Sequence, residues 1–293
     1  MPNPTRIDPN EFRLMRDYIE KICGIFLTED KMYLVETRLT TLMVESGCKS
    51  FTELYYKATT ESTNALRDKI VEAITTNETF WFRDESPFAI LDEVLFTELA
   101  AEIHAGKRSK IRIWSAACST GQEPYSIAMT VLEFARKHFS LKPEQFEIIG
   151  TDISSAALYV AMAGRYDNLS ITRGLPGDLK QRYFKPVGNV WAINDEVKRI
   201  VTFARMNLQE NFFHLGKQDI IFCRYVLIYF ADEFKRDILN RIGGLLRPDG
   251  YLFVGGSESI VNYTQDYQML QHTRGLYYRV RPKEVNRARS MGL

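Results

Sequence analysis

Two carboxylates and two arginines, Glu123, Asp152, Arg83 and Arg224, stand where this chain can do chemistry. Glu123 belongs to the stretch Ile111 to Ile127, IRIWSAACSTGQEPYSI, which reads as a buried strand, a tight turn of small residues and then a helix. Such an arrangement brings backbone N–H groups against a nucleotide-like ligand. Ser115 to Gly121 carry no bulky side chain, and Gln122-Glu123-Pro124 opens a helix with an acid and a proline in its first turn. A dinucleotide loop would need glycines where Ala117 and Ser119 stand, and a triphosphate loop would need a Gly-Lys-Ser/Thr ending. The expected guest is therefore a cofactor without phosphate. Asp152 ends the next predicted strand, at the carboxyl edge of the sheet, where its carboxylate can accept both hydroxyls of a ribose. Its plainer alternative is an N-cap or Asx turn before Ser154. Glu123, taken alone, is equally well explained by the dipole of the helix that it opens.

The arginines lie in two further segments. In TTNETFWFRDESPF, Asn77, Thr79 and Arg83 bracket Phe80, Trp81 and Phe82. The aromatics alone would make a hydrophobic clasp between two domains, but an arginine beside a domain cleft is placed where pockets preferentially form. In DIIFCRYVLIYF, a predicted strand Asp219–Cys223 ends in Arg224, and Tyr229 follows at the same sheet edge. A buried strand emerging into a polar loop is the simpler account.

These residues need elements to hold them. From Pro9 to about Thr76 apolar residues repeat at helical spacing: Phe12, Met15, Tyr18, Ile19 and Ile22, then Val35, Leu39, Leu42 and Met43, then Leu66, Ile70 and Ile74. The prediction is a helical N-terminal domain over 1–76, with Thr28 to Lys31 capping the second helix and Gly47 stopping it, and a connector over 77–92. Beyond it strand and helix alternate: strand Ile111–Ala116, helix Glu123–His138, strand Phe146–Thr151, helix Ser154–Ala163, strand Ile200–Ala204, strand Asp219–Cys223, helix Asp232–Leu246, turn Pro248-Asp249-Gly250 and strand Tyr251–Val254. Alternation of this kind predicts an α/β fold with a doubly wound parallel sheet covered on both faces. Tyr267–Gln271 and Leu276–Val280 read as antiparallel edge strands. A doubly wound sheet with a terminal hairpin is the architecture of S-adenosylmethionine-dependent methyltransferases, here over 93–281. Within the interrupting stretch, about 165–199, NVWAINDEVKRIVTF suggests two strands around an Asn194-Asp195 turn, hence a small antiparallel subdomain. The tail 282–293 is nearly free of apolar residues and is expected to be mobile.

Composition narrows the function. With 38 basic against 37 acidic residues, a net charge of +1 leaves no excess for neutralising phosphates, so nucleic acid is not the expected partner. Cys23, Cys48, Cys118 and Cys223 form no C-x-x-C pair and the histidines show no metal spacing, so neither a zinc site nor a disulfide framework is expected. The apolar run Ile220 to Ala231 is too short to span a membrane and Met1-Pro-Asn-Pro starts no signal peptide, which predicts a cytoplasmic protein without membrane insertion.

Taken in order, NETFWFR, SAACSTGQEPYS, GTDIS, Met206-Asn207-Leu208 and IIFCRYVLIYF resemble the chemotaxis receptor glutamate O-methyltransferases of the CheR family, from about residue 8 to residue 281. That resemblance implies that Asn77, Thr79, Arg83, Glu123, Asp152, Asn207, Leu208, Cys223 and Arg224 line a pocket for S-adenosylmethionine and its product S-adenosylhomocysteine, with Arg83, Arg224 and Tyr229 nearest the transferred methyl. It also implies the cytoplasmic domain of a chemoreceptor, or of a related signalling protein, as partner, and we expect a monomer. A glutamate with a reference pKa of about 4.3 is already ionised, so no general base is required, and Arg83 or Arg224 would orient it by a two-pronged grip. The family's second helix is rich in arginine, whereas RLTTLMV here offers Arg38 alone, followed by Thr40, Thr41, Met43 and Val44. This weakens electrostatic docking on a receptor. Alternative readings are a methyltransferase of the same fold with another protein or small-molecule substrate, and a non-catalytic cofactor-binding interaction module.

Overall fold

The computed structural model describes residues 6–138 and 141–281, so the expected mobile tail lies outside the described residues. Four helices come first: α1 (Pro9–Cys23), α2 (Met32–Glu45), α3 (Phe51–Thr60) and α4 (Ala65–Ile74). They bury the predicted stripes in a core of their own, with Phe12, Met15, Val35, Leu39, Phe51 and Ile70 inaccessible to solvent. α1 starts because the Asp8 carboxylate accepts from the N–H groups of Asn10 and Glu11 while Glu11 reaches back to the Asp8 N–H, a reciprocal cap. It stops at Gly24, whose φ of 76° and close approach to Phe234 leave no room for a Cβ. Thr28 does not cap α2. Its hydroxyl bonds Asp30 instead, and a 3-10 turn, Glu29–Lys31, precedes the helix.

The chain then enters a helix that the periodicity had not revealed, α5 (Ser86–Ile90), continued through a π turn (Leu91–Leu95) into α6 (Phe96–His104). The alternation follows: β1 (Ile111–Ala116), α7 (Gln122–Lys137), β2 (Phe146–Asp152), α8 (Ser155–Ala163), then an insertion comprising β3 (Arg165–Tyr166), α9 (Asn168–Thr172), α10 (Gly177–Tyr183), β4 (Phe184–Val187), β5 (Val190–Ile193) and α11 (Asp195–Lys198). The sheet resumes with β6 (Val201–Arg205), β7 (Gln218–Cys223), α12 (Asp232–Leu245), β8 (Leu246–Phe253), β9 (Tyr267–His272) and β10 (Gly275–Val280).

The main sheet runs β6-β2-β1-β7-β8-β10-β9, parallel from β6 to β8 and antiparallel at the β10-β9 end. Side chains alternate between its faces: Ile111, Ile113, Ile220 and Phe222 join the core under α6 and α7, while Trp114, Ala116, Ile221 and Cys223 join the core under α12. From β1 the chain moves outward to β2 and β6, then returns to place β7 on the other side of β1. That reversal opens a crevice at the carboxyl ends of β1 and β7, where ligands of open α/β sheets bind.

Two local expectations are corrected. The small sheet is three-stranded, β3-β5-β4, and its hairpin turns at Gly188-Asn189; Asn194-Asp195 instead starts α11, and the segment beyond is β6 of the main sheet. Asn194 takes the N-cap position without a side-chain cap; its amide donates instead to the Arg182 carbonyl at 2.9 Å, so a contact from outside the segment holds the start of α11. Pro248-Asp249-Gly250 is not a free turn between helix and strand. α12 passes directly into β8, and the three residues bulge out of its ladder, where Gln218 pairs with Leu246 and Ile220 already pairs with Tyr251.

Candidate active site

The small-residue loop after β1 solves the backbone problem that the missing glycines pose. Ala117 and Ser119 themselves take left-handed conformations, φ 55° and 52°. Gly121 follows at φ 90°, and a Cβ there would come within 2.8 Å of the Ala161 Cβ on α8. What holds the loop is Asp152: one carboxylate oxygen accepts from the Ser119 N–H at 2.7 Å and the other from the Ser154 N–H at 2.8 Å. The Asx turn before Ser154 is thus real and uses one oxygen, while Ser154 is the residue whose side chain caps α8. Each oxygen keeps a free lone pair. Burial pushes the Asp152 carboxyl above its ordinary pKa, opposed by the two backbone N–H groups and reinforced by Glu72.

Above this loop lies a cavity of about 280 Å³. Its wall brings together residues remote in sequence: Asn77, Thr79 and Arg83 from the connector, Glu123 from α7, Asp152 from β2, Asn207 and Leu208 after β6, Arg224 and Tyr229 after β7, Cys23 at the end of α1 and Ile25 just beyond it. Nine of the ten expected site residues share this wall. Cys223 does not; its side chain is wholly buried in the core beneath, because the alternation along β7 turns it under α12. Asn77 is exposed at the rim, its carbonyl accepting from the Ser119 hydroxyl at 2.9 Å. The Asn207 amide spends its N–H on the Ile22 carbonyl at 2.9 Å, tying the end of α1 to the cavity floor. Tyr229 bridges the two domains, packing on both cores while its carbonyl accepts from the Phe26 N–H.

The two arginines part company. Arg224 has a side chain only 1% exposed and is fully engaged on one edge: Nη1 donates to Glu123 Oε2 at 2.7 Å, and Nη2 to Asp84 Oδ2 at 2.7 Å and to the Arg83 carbonyl at 2.6 Å. Burial works against its charge, but Glu123 and Asp84 outweigh it and hold the pKa above the ordinary arginine value. It therefore braces the wall and has no free fork with which to grip a substrate carboxylate. Arg83 is half-buried, gives one N–H to the Glu78 carbonyl at 3.1 Å and pairs with no carboxylate among the described residues. Trp81 does not form the inter-domain clasp that is the plainer alternative for the aromatics; it pins the connector to the insertion, its ring packing on Tyr166 and Phe184 and its N–H donating to the Ser170 carbonyl. Arg38 is turned inward too, donating to the carbonyls of Ile74 and Thr75 and to the Thr76 hydroxyl, so the outer face of α2 presents Tyr33, Thr37, Thr41 and Val44.

Sequence reasoning missed Asp84, Tyr225 and Ser119, which fix Arg224, Arg83 and Asp152. An acid directly after Arg83 and an aromatic directly after Arg224 were the available signals. Among the described residues no cluster of three potential metal ligands occurs and no helix is long and apolar enough to cross a membrane.

Comparison with known proteins agrees with this geometry. Residues 77–276 match the family described as CheR methyltransferase, SAM binding domain, and residues 10–75 match CheR methyltransferase, all-alpha domain. Chemotaxis protein methyltransferase 1 of Pseudomonas aeruginosa is 45% identical over 272 residues, 92% of this chain and 98% of the relative. Chemotaxis protein methyltransferase Cher2 of Pseudomonas putida is 43% identical over 272 residues, covering 92% and 98%, and chemotaxis protein methyltransferase 1 of Vibrio cholerae is 42% identical over 276 residues, covering 94% and 98%. A helical domain and a methyltransferase sheet, joined over one cavity and matched along nearly their whole length, place this chain in the CheR methyltransferase family.

Proposed function

We propose that this protein transfers the methyl group of S-adenosylmethionine to glutamate side chains on the cytoplasmic helical region of a chemoreceptor. The observation that carries the proposal is the charge of the cavity wall. On the wall Glu123 is paired with Arg224 and Glu78 with Arg173, Asp152 has no cationic partner among the described residues, and neither lysine nor histidine lines the cavity. Such a wall suits a cation without phosphate. Arg224 Nε–H is buried without an acceptor, a donor suited to a ligand carboxylate. These residues fit S-adenosylmethionine: Asp152 would accept its ribose hydroxyls, Asn207 and Leu208 would flank its base, and Glu123 with Arg224 would hold its amino-acid end. Bound there, it supplies an electrophilic methyl on a sulfonium.

The remaining work falls to the protein. A receptor glutamate arrives ionised at neutral pH, so the wall needs no base to create the nucleophile. Arg83 is the cation left to meet that carboxylate and aim one oxygen, so that the gain is orientation. Esterification removes the carboxylate's charge, and the Arg83 grip relaxes with it. The proposed acting species is the monomer, and the proposed site of action is the cytoplasm. The test is incubation with labelled S-adenosylmethionine and receptor cytoplasmic fragments. Label that is released as methanol by mild base is the expected result, since carboxyl esters hydrolyse where N-methyl groups persist. Base-stable label, or none, overturns the proposal.

A further inference from the structure

Tyr225 stands in the left-handed region, φ 56°, where a residue with a large side chain is an outlier. The surroundings impose that conformation. Its N–H donates to Glu258 Oε2 at 2.6 Å, the same oxygen that accepts from the Gly255 N–H at 2.7 Å. Gly255 packs so close that a Cβ on it would come within 2.9 Å of the tyrosine ring. Held this way, the ring lies under the Arg83 guanidinium, with Cζ 3.5 Å from its centroid, while Phe80 approaches at 5.3 Å. The hydroxyl meanwhile donates to Asp84, at 2.8 Å to Oδ1 and 2.7 Å to Oδ2.

Resting on the methyl-transfer reading above, we propose that Tyr225 is a positioning residue that keeps Arg83 oriented and unpaired for the incoming substrate carboxylate. The ring supports the cation through its face and leaves the N–H edge unspent, which a carboxylate partner would not do. The hydroxyl adds a second effect. Asp84, next to Arg83 in the chain, is the acid best placed to neutralise it, and Tyr225 together with Arg224 and the Gly256 N–H keeps its oxygens occupied. A strained backbone thus buys a cation that is fixed in place yet available.

The test compares methyl transfer to a receptor fragment by the parent, Tyr225→Phe, Tyr225→Leu, Arg83→Ala and the double variant Tyr225→Leu/Arg83→Ala. Tyr225→Leu should raise KM for the receptor about 2- to 30-fold, the range that cation–π contacts span between exposed and desolvated sites. Tyr225→Phe, which keeps the ring, should lose less. In the Arg83→Ala background Tyr225→Leu should cost nothing further. Equal losses for Phe and Leu, or the same loss in both arginine backgrounds, would overturn the proposal. Nuclear magnetic resonance gives a readout independent of turnover: ring-current shifts on the Arg83 side chain should be present in the parent and Tyr225→Phe and vanish in Tyr225→Leu. Their absence from the parent also overturns it. A parent that transfers no methyl refutes the proposed function instead, and the resonance experiment still decides the role of Tyr225.

Discussion

Replacing Arg224 by methionine should destabilise the protein even with no cofactor present. The guanidinium is buried between Glu123 and Asp84, whose side chains are 13% and 28% exposed. Removing one partner of a buried ion pair typically costs about 3–5 kcal/mol, because the remaining charge is left without compensation. Here the loss should fall near the lower end, about 3 kcal/mol. Glu123 keeps its bond from the Ser115 hydroxyl at 2.7 Å, and Asp84 keeps Tyr225 and reaches water. Glu123→Gln should cost less, about 1–2 kcal/mol, since Arg224 retains Asp84 and the Arg83 carbonyl. The double variant removes both charges together and should be more stable than the sum of the single losses by about 1–2 kcal/mol. Urea unfolding of the four proteins at pH 7, followed by circular dichroism, measures each quantity. An Arg224→Met protein as stable as the parent, or a strictly additive cycle, would refute the bracing role and leave Arg224 as a ligand contact alone.

Arg83→Ala should lower kcat/KM for the receptor by about 10- to 100-fold, the worth of a charge-assisted hydrogen bond; unchanged transfer at saturating cofactor would remove Arg83 from the reaction. Cofactor affinity should depend on pH through Asp152. Burial raises its folded pKa above the usual carboxylate value of about 3.9, so S-adenosylhomocysteine binding, full above the raised value, should weaken as pH falls through it. Calorimetry on Asp152→Asn should find that dependence gone. The same sign means that the contribution of this group to folding stability grows as pH falls, because the folded chain holds the proton more tightly than the unfolded one. Gly121→Ala combines a left-handed φ of 90° with a 2.8 Å approach to Ala161 and should cost about 2–4 kcal/mol. An unchanged melting temperature would show that α8 can retreat.

How much was legible beforehand depended on the range of the forces involved. Local rules carried far: the apolar spacing of α1, α2 and α4 and the strand–helix alternation act within a few residues, and they locate the parallel sheet and its carboxyl edge, although the cap expected at Thr28 forms a 3-10 turn instead. They failed where one local signal serves two structures. Asn194-Asp195 starts a helix instead of turning a hairpin, and Pro248-Asp249-Gly250 bulges within a strand. α5 was missed because a five-residue helix offers too few turns for a period to stand out, and α3 because its buried face is marked only by Phe51, Leu54 and the small Ala58.

By itself the sequence determined which residues can do chemistry, Asp152, Glu123, Arg83 and Arg224, and which sheet edge would carry them. Tertiary structure alone decided how they divide the work. Arg83 and Arg224 are chemically the same side chain, and their spacing says nothing about which is buried. Packing places Arg224 between two carboxylates brought in from α7 and the connector, and leaves Arg83 on an aromatic face. It also forces Ala117, Ser119 and Tyr225 into left-handed conformations that their own preferences disfavour. Strain of that kind is invisible to local rules because distant contacts sustain it.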